Sequence, residues 1–181
     1  MKLETLEKDN YYHIYNRGIN GCAIFEDKEN MRYFLSLVLK YLKGKATLLS
    51  YCLLQNHYHF LLKVNVDNKE IIQAFSNLFN AYAKAFNKRN HRTGSLFEKH
   101  FKRKRVKSEE YLRNTILYIH KNPEHHKISK DFSKYDFSSY KDVVSENATL
   151  IDVSQVVSVF ENLDNFIFTH KNDHQTDLQG F

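Results

Sequence analysis

Hydrophobic and polar positions alternate along the first third of the chain in two periods, one typical of strands and one typical of helices. The segment Tyr11 to Arg17 is rich in aromatic residues and predicts a first strand. Apolar positions from Met31 to Leu42 follow helical spacing after Asp27, a residue type that caps helices. An apolar run at 46–54 and an alternating segment at 57–64 predict two further strands.

Another helix and a basic strand follow this alternating segment. Asp67 and Glu70 form the pattern of a capping box, which predicts a helix to about Lys88. A turn at 90–94 then leads into Ser95 to Val106, a basic segment that predicts a fourth strand.

The last well-defined helix has its limits marked by single residues. Ser108 caps it, and Pro123 ends it because the residue before a proline is pushed out of helical geometry. This helix therefore covers about 108–122. Beyond it we expect a loop rich in Lys and Ser, a weak helix at 153–163 and a polar tail from Lys171.

The order of predicted elements, β-α-β-β-α-β-α, indicates the α+β class. The first six elements fit a split β-α-β, or ferredoxin-like, sandwich: a four-stranded antiparallel sheet with two helices on one face. The other face of the sheet, or its end, is then left for a ligand and for the additional C-terminal helix.

Composition limits the kinds of protein that this chain can be. Its 181 residues, of which 42% are hydrophobic, suit one main globular domain. No stretch approaches the roughly 20 apolar residues that span a bilayer, and the first ten residues lack an apolar signal core. We therefore expect a cytoplasmic protein without a membrane partner. Cys22 and Cys52 are too few for a disulfide framework.

The net charge of +6 favours polyanionic partners, and its distribution is more informative than its total. The segment Lys84 to Lys107 carries ten Lys and Arg residues against one acid, Glu98, with Phe86, Phe97 and Phe101 between them. Cations neutralise phosphates and aromatic rings stack on bases, so the segment suits a nucleic-acid groove. A solvated charged face with core aromatics is the alternative.

His57 and His59 stand two apart on a predicted strand. Their side chains then project from the same face, about 6–7 Å apart, while Tyr58 between them points into the core. Two imidazoles so placed can chelate one metal ion. The alternative is a pair of polar residues at the start of an amphipathic strand.

Tyr118 and Asn122 stand four apart on the 108–122 helix, so they lie on one side of it. This places a phenol and an amide oxygen together, beside the apolar stripe. With twelve tyrosines in the chain, composition alone does not single out Tyr118. An interfacial tyrosine followed by a helix-ending Asn-Pro is the alternative.

Five short blocks resemble, in the same order, motifs of the IS200-like tyrosine transposases, in particular of their REP-associated branch. The block LQNHYHFLL at 54–62 resembles the metal motif of this family, which belongs to the nucleases defined by His-hydrophobic-His (the HUH class). The other blocks are YHIYNRG at 12–18, RTGSLF at 92–97, YIHKNP at 118–123 and FSSY at 137–140. The last has Phe where the family has Trp.

The resemblance implies one transposase domain at 1–140, which includes the catalytic helix at about 108–122, and a C-terminal extension at 141–181 that is partly helical with a polar tail. It also implies roles for the residues of two blocks. Tyr118 would be the nucleophile. The metal ion, Mg²⁺ or Mn²⁺, would be held by His57, His59 and Asn122, the last standing where better-studied relatives carry Gln.

The implied activity is metal-dependent cutting and rejoining of single-stranded DNA through a 5′-phosphotyrosine, at sites near hairpin (palindromic) elements. Charge and location add candidate phosphate contacts, which are Arg17, Arg92, Lys102, Arg103 and Arg105. Relatives include monomers and dimers that exchange the catalytic helix, so the resemblance leaves a homodimer open.

Three alternative functions stay open on the sequence alone. The protein could be a domesticated, catalytically inactive relative that binds DNA hairpins. It could be a two-histidine phosphoesterase, since His91-Arg92-Thr93 and His174-Gln175-Thr176 match the His-x-Thr pattern, although one lies in a turn and the other in the tail. Finally, it could be a structural or regulatory protein whose histidines are surface polar groups.

Overall fold

A four-stranded antiparallel sheet organises the chain in the computed structural model, which describes residues 3–146 and 148–172. The strand order is β2-β3-β1-β4. The strands are β1 (Tyr11–Arg17), β2 (Ala46–Leu54), β3 (His57–Val64) and β4 (Lys102–Val106). The first three have the limits that the sequence predicts, because alternation and turn residues mark their ends.

Six helices surround the sheet in the described ranges. They are α1 (Lys28–Leu42), α2 (Asn68–Arg89), α3 (Glu109–His125), α4 (Tyr140–Val144), α5 (Val153–Val159) and α6 (Leu163–Asn172). The three predicted caps form: the side chains of Asp27, Asp67 and Ser108 each accept a hydrogen bond from a backbone N–H of the first helical turn. No helix in these ranges is both long and apolar enough to cross a membrane. The cytoplasmic location stays a prediction.

The side-chain alternation of β3 divides the structure into two layers. Tyr58 packs against Phe34 of α1 and Phe79 of α2, whereas its neighbour His59 faces Tyr118 of α3. Successive side chains of a strand point to opposite faces, so α1 and α2 cover one face of the sheet and α3 lies on the other. The predicted α+β ferredoxin-like sandwich, with an additional helix that carries the tyrosine, is confirmed.

The predicted fourth strand is too long. Only Lys102–Val106 pairs with β1, and the residues before it form an irregular connection in which Phe97 makes an isolated bridge to Gly18. Phe97 and Phe101 both pack against Phe79 of α2. Residues four apart on an extended strand lie about 13 Å from each other, whereas both rings lie within 5.6 Å of the Phe79 ring. Burial of the two rings under α2 therefore determines the path of the chain here.

The predicted end of the third helix at Pro123 is also wrong, because α3 continues through Pro123 to His125. Proline removes one helical hydrogen bond, but neighbouring groups keep the turn closed. The side-chain amide of Asn122 donates to Tyr118 O at 2.9 Å, and His126 N donates to Asn122 O at 3.0 Å. Pro123 and the two residues before it are buried, so tertiary contacts outweigh the local preference.

The C-terminal part forms two helices, α5 and α6, where the sequence predicts one weak helix. Glu161 lies between them with a φ of 70°, in the left-handed region that interrupts a right-handed helix. The second helix, α6, includes Lys171 at the start of the predicted tail, and residues 173–181 lie outside the described ranges. The domain limits at 140 and 141 stay predictions.

Tyr58 and Tyr82 provide a matched stability test, since both rings are buried in the layer of α1 and α2. The hydroxyl of Tyr82 donates to Ile24 O, whereas that of Tyr58 makes no hydrogen bond within the described residues. A buried polar group without a partner costs about 1–3 kcal/mol. Tyr58→Phe should therefore leave the free energy of unfolding unchanged or raise it by about 1 kcal/mol, whereas Tyr82→Phe should lower it by about 1 kcal/mol or more.

Urea unfolding of the two variants and the wild type measures both effects. An equal loss of stability in Tyr58→Phe and Tyr82→Phe would show that the Tyr58 hydroxyl has a partner after all.

Candidate metal and nucleophile site

The histidine pair lies on the central strand β3, where neighbouring strands fix the backbone on both sides. The ring centroids of His57 and His59 are 5.2 Å apart, and the ring planes are almost perpendicular, at 88°. The side chain of His59 is buried and that of His57 is half-buried. The two imidazoles therefore lie side by side on the face of the sheet that α3 partly covers.

The Nδ1 atom of each imidazole lies within hydrogen-bond distance of another side chain. His57 Nδ1 lies 2.7 Å from Asn56 Oδ1, and His59 Nδ1 lies 2.9 Å from His13 Nε2. Since an amide oxygen only accepts, His57 Nδ1 donates, and the lone pair of the neutral ring is at Nε2. In metal-binding histidines the ring nitrogen that does not bind the metal usually has a hydrogen-bond partner of this kind, which orients the ring.

His13 also belongs to this group of histidines, although its position in the sequence does not single it out. Its signal is the strand register: β1 pairs with β3 so that Tyr15 is opposite His59 and His13 is opposite Leu61, which places His13 diagonally beside His59.

Burial keeps these histidines neutral. Desolvation, with a smaller contribution from His126, lowers the pKa of His57 to about 4. Desolvation and the neighbouring imidazoles hold the pKa of His59 well below its usual range, and burial lowers the pKa of His13 to about 3. Neutral imidazole is the form that binds a metal ion, so the pair is in its ligating form at neutral pH.

Tyr118 and Asn122 approach the histidines from α3. The Tyr118 ring lies 5.6 Å from the His59 ring and 6.0 Å from the His13 ring, edge-on to both. Asn122 is fully buried. A contact of its side chain with His57 opposes the lowering of the His57 pKa, yet Asn122 Oδ1 makes no well-formed hydrogen bond within the described residues.

This buried oxygen fits a metal site. A buried acceptor without a well-formed hydrogen bond can take a further bonding group, and an amide oxygen beside two neutral imidazoles is a donor set that suits a divalent cation. In the described ranges no three His, Cys, Asp or Glu side chains are arranged to hold a metal ion. A third protein ligand there would therefore be of another type, such as the Asn122 amide.

A cleft of about 410 Å³ opens beside these groups. Besides the two histidines and Tyr118, its lining includes Tyr15, Asn16, Arg17, Asn56, Glu98, Lys102 and His126. The His126 ring lies 4.6 Å from the His57 ring. It was missed in the sequence because it follows α3 beyond Pro123, where the helix was predicted to have ended.

Two of the five candidate phosphate contacts lie in this cleft. Lys102 stands opposite Tyr15 in the pairing of β1 with β4. Arg17 is at the end of β1, and its Nε lies 2.6 Å from Glu98 Oε1. The single acid of the basic segment therefore partly neutralises one of the cations of the cleft.

The other three candidates lie elsewhere. Arg103 and Arg105 occupy the alternate positions of β4 and project from the sheet face opposite the histidines. The Arg103 guanidinium lies 4.3 Å from the centre of the Phe101 ring, and Arg105 forms an ion pair with Glu7 at 2.8 Å. Arg92 is in the turn after α2. The structure thus does not bring these three to the cleft.

Comparison with known proteins identifies a solved structure with a similar fold. No protein-family model matches the sequence, and no curated protein matches it significantly. A solved structure of a REP-associated tyrosine transposase bound to a REP hairpin is similar to this chain, with a TM-score of 0.64 over 84% of this chain and 88% of that one. Only 16% of the aligned residues are identical. This chain and that transposase therefore share a fold.

The lowered pKa values give a test of the candidate metal site. Protons compete with a metal ion for imidazole only near and below the pKa. Two histidines with ordinary pKa values of about 6.5 would lose about 100-fold in metal affinity between pH 8 and pH 5.5. Because the pKa of His57 is about 4 and that of His59 is also lowered, we expect the Mn²⁺ affinity to change less than about twofold over this range.

Calorimetric titration with Mn²⁺ at pH 8, 7 and 5.5, with the fold checked by circular dichroism, measures this. The double variant His57→Ala, His59→Ala is the control and should bind no Mn²⁺ at this site. A tenfold or greater loss of wild-type affinity by pH 5.5 would contradict the proposed neutral, buried ligands.

Proposed function

We propose that this protein is a metal-dependent single-strand DNA endonuclease and strand transferase, as in DNA transposition, that acts through a 5′-phosphotyrosine intermediate. One observation carries the proposal: Tyr118 and the histidine pair line one cleft, and the buried Asn122 amide contacts His57 from the helix that also carries Tyr118. The five motif blocks support it. The fold shared with a REP-associated tyrosine transposase bound to a REP hairpin supports hairpin-containing DNA as the substrate class.

His57, His59 and Asn122 would hold the divalent cation, Mg²⁺ or Mn²⁺. Mixed nitrogen and oxygen ligands suit Mn²⁺ more readily than Mg²⁺. When bound, the ion supplies positive charge to a non-bridging phosphate oxygen and orients the phosphate for in-line attack.

Tyr118 would supply the nucleophile. A phenol in water has a pKa of about 10, so attack by a tyrosine at neutral pH requires removal of the proton by a base. The Tyr118 oxygen forms a bond to phosphorus, the bond from phosphorus to the 3′-oxygen breaks, and that oxygen takes up a proton. One phosphoester bond replaces another, so a 3′-hydroxyl of the same or another strand can reverse the step without an energy source.

Arg17 and Lys102 would hold the DNA backbone beside the site. Phosphate contacts position DNA without distinguishing its sequence. A phosphate that reaches Arg17 would compete with Glu98, its present partner. Arg92, Arg103 and Arg105 stay candidates only for contacts outside the cleft.

Two of the alternatives find no support in the described residues. For the two-histidine phosphoesterase, His91 is exposed in the turn after α2, and His174 lies outside the described ranges. For a protein with merely surface histidines, His59 would have to be exposed, but it is only 4% exposed. The inactive hairpin-binding protein remains, and activity distinguishes it.

Tyr118→Phe is the decisive variant for the nucleophile. With Mn²⁺ and single-stranded DNA that contains a hairpin, the wild type should form a covalent adduct that carries the 5′ phosphate, visible on a denaturing gel. Tyr118→Phe should form none, because no other group replaces the phenol oxygen, while its affinity for the hairpin stays within about twofold, since the cationic lining is intact.

Tyr111→Phe is the matched control, because Tyr111 lies two turns earlier on α3 and its hydroxyl makes no hydrogen bond within the described residues. It should cut like the wild type. If the wild type binds the hairpin but forms no adduct with either metal, the protein is a hairpin-binding protein without turnover.

The arrangement also predicts action within one chain, since Tyr118 lies against His59 of the same molecule. Two variant chains are co-expressed, one with Tyr118→Phe and the other with the double substitution His57→Ala, His59→Ala. If each site is built within one chain, the mixture should recover no cleavage. A dimer that exchanges α3 would form complete sites in the mixed pairs. Recovery of a quarter or more of the wild-type rate would contradict action in one chain.

A further inference from the structure

A second buried histidine pair lies on the side of α3 away from Tyr118, and the proposed reaction does not use it. His120 follows Tyr118 by two residues, which is about 200° around the helix. Both His120 and His170 of α6 are fully buried, and His120 Nδ1 lies 2.8 Å from His170 Nε2. His120 Nε2 lies 2.8 Å from Ser139 Oγ. The pair therefore joins α3 to α6 and to the segment before α4.

The chemistry of each group determines the direction of every hydrogen bond. His170 Nδ1 lies 2.7 Å from Phe166 O, which only accepts, so Nδ1 donates and Nε2 of the neutral ring accepts from His120 Nδ1. His120 Nε2 then accepts from the Ser139 hydroxyl, and Ser139 Oγ accepts from Tyr51 N at 2.9 Å. The result is one continuous chain from α6 through α3 to β2.

The surroundings of this chain are apolar. Aromatic rings enclose His170, and they belong to Phe132, Tyr140, Phe160 and Phe166. Both rings are neutral in this hydrogen-bond pattern, because each uses one nitrogen as a donor and the other as an acceptor. Polar groups in such a shell have to keep their partners. Only one position of α3 therefore keeps all the hydrogen bonds of this network.

That placement affects the candidate site directly. Sliding α3 by one residue would move His120 by 1.5 Å, whereas a hydrogen bond tolerates only a few tenths of an ångström. Ser139 is also bonded through its N–H to Tyr51 O of β2 at 3.0 Å, and the next residue of β2, Cys52, pairs with His59. The network thus ties α3 to the strand beside the histidine pair of the cleft.

We propose that His120, Ser139 and His170 form a histidine clamp that fixes α3, with α6 as the brace, so that Tyr118 and Asn122 are held beside His57 and His59. The three are positioning residues. Their role in catalysis rests on the proposed function, but their effect on α3 can be measured without it.

Two substitutions of His170 test the clamp. His170→Phe suits the aromatic shell but leaves the His120 Nδ1–H without an acceptor, whereas His170→Gln keeps an acceptor in its amide oxygen. The matched control is Tyr51→Phe, which removes the hydrogen bond of that hydroxyl to Asp142 at 2.9 Å, a part-buried contact outside α3.

Three measurements compare these variants with the wild type. In His170→Phe, amide hydrogen exchange at residues 117–124 should accelerate about tenfold, and the Mn²⁺ affinity should fall about tenfold. The single-turnover rate of adduct formation should fall at least tenfold, whereas the affinity for the DNA hairpin should not change. His170→Gln should recover most of each loss, and Tyr51→Phe should show none of them.

A double substitution separates positioning from general loosening. If the clamp acts on the metal through Asn122, then His170→Phe should cause no further loss of Mn²⁺ affinity in an Asn122→Ala background. A full additional loss there would overturn this part of the proposal.

The outcomes also separate this proposal from the proposed function. A wild type that binds Mn²⁺ but forms no adduct would refute the proposed function, and the clamp would still be judged by exchange and by Mn²⁺ affinity. If the wild type binds no Mn²⁺, the clamp is judged by the hydrogen exchange of α3 alone. Equal exchange of α3 in His170→Phe and Tyr51→Phe would overturn the clamp.

Discussion

The alternation of side chains along β3 is the constraint on which the rest of the structure depends. This strand is central, so its register is fixed by neighbours on both sides. Tyr58 and Phe60 fill the layer under α1 and α2. A slip of one residue would turn both rings out of that layer and His59 into it. The hydrophobic core therefore determines where the histidine pair points, before any ligand is present.

Burial on the other face of the sheet gives the imidazoles their chemical state. Desolvation opposes the charged ring, and the partners at Nδ1, Asn56 for His57 and His13 for His59, offset part of the cost of burying a polar group. The same physics acts on the far side of α3, at His120 and its partners. The helix that carries Tyr118 thus lies between two sets of neutral, hydrogen-bonded histidines, one beside the cleft and one in an apolar shell.

Sequence reasoning succeeded where the determinants are local. Strand limits, helix caps and the shared face of His57 and His59 follow from spacing within a few residues. It failed where distant contacts decide: burial of Pro123 extends α3, and the docking of Phe97 and Phe101 on α2 shortens β4. The approach of Tyr118 to the histidines depends on where α3 packs. No periodicity contains that information, so the choice of Tyr118 as candidate nucleophile rests mainly on the family resemblance.

The orientation of the Asn122 amide follows from the same extension of α3. The two atoms of an amide group are told apart by their partners, and Tyr118 O, a carbonyl that only accepts, lies 2.9 Å from Nδ2. This contact requires that Nδ2 face the helix backbone and leaves Oδ1 as the atom near His57. The neighbouring Pro123 has no N–H that could bind this oxygen. A shorter side chain than Gln, next to a proline inside a helix, therefore still directs its amide oxygen toward the histidine pair.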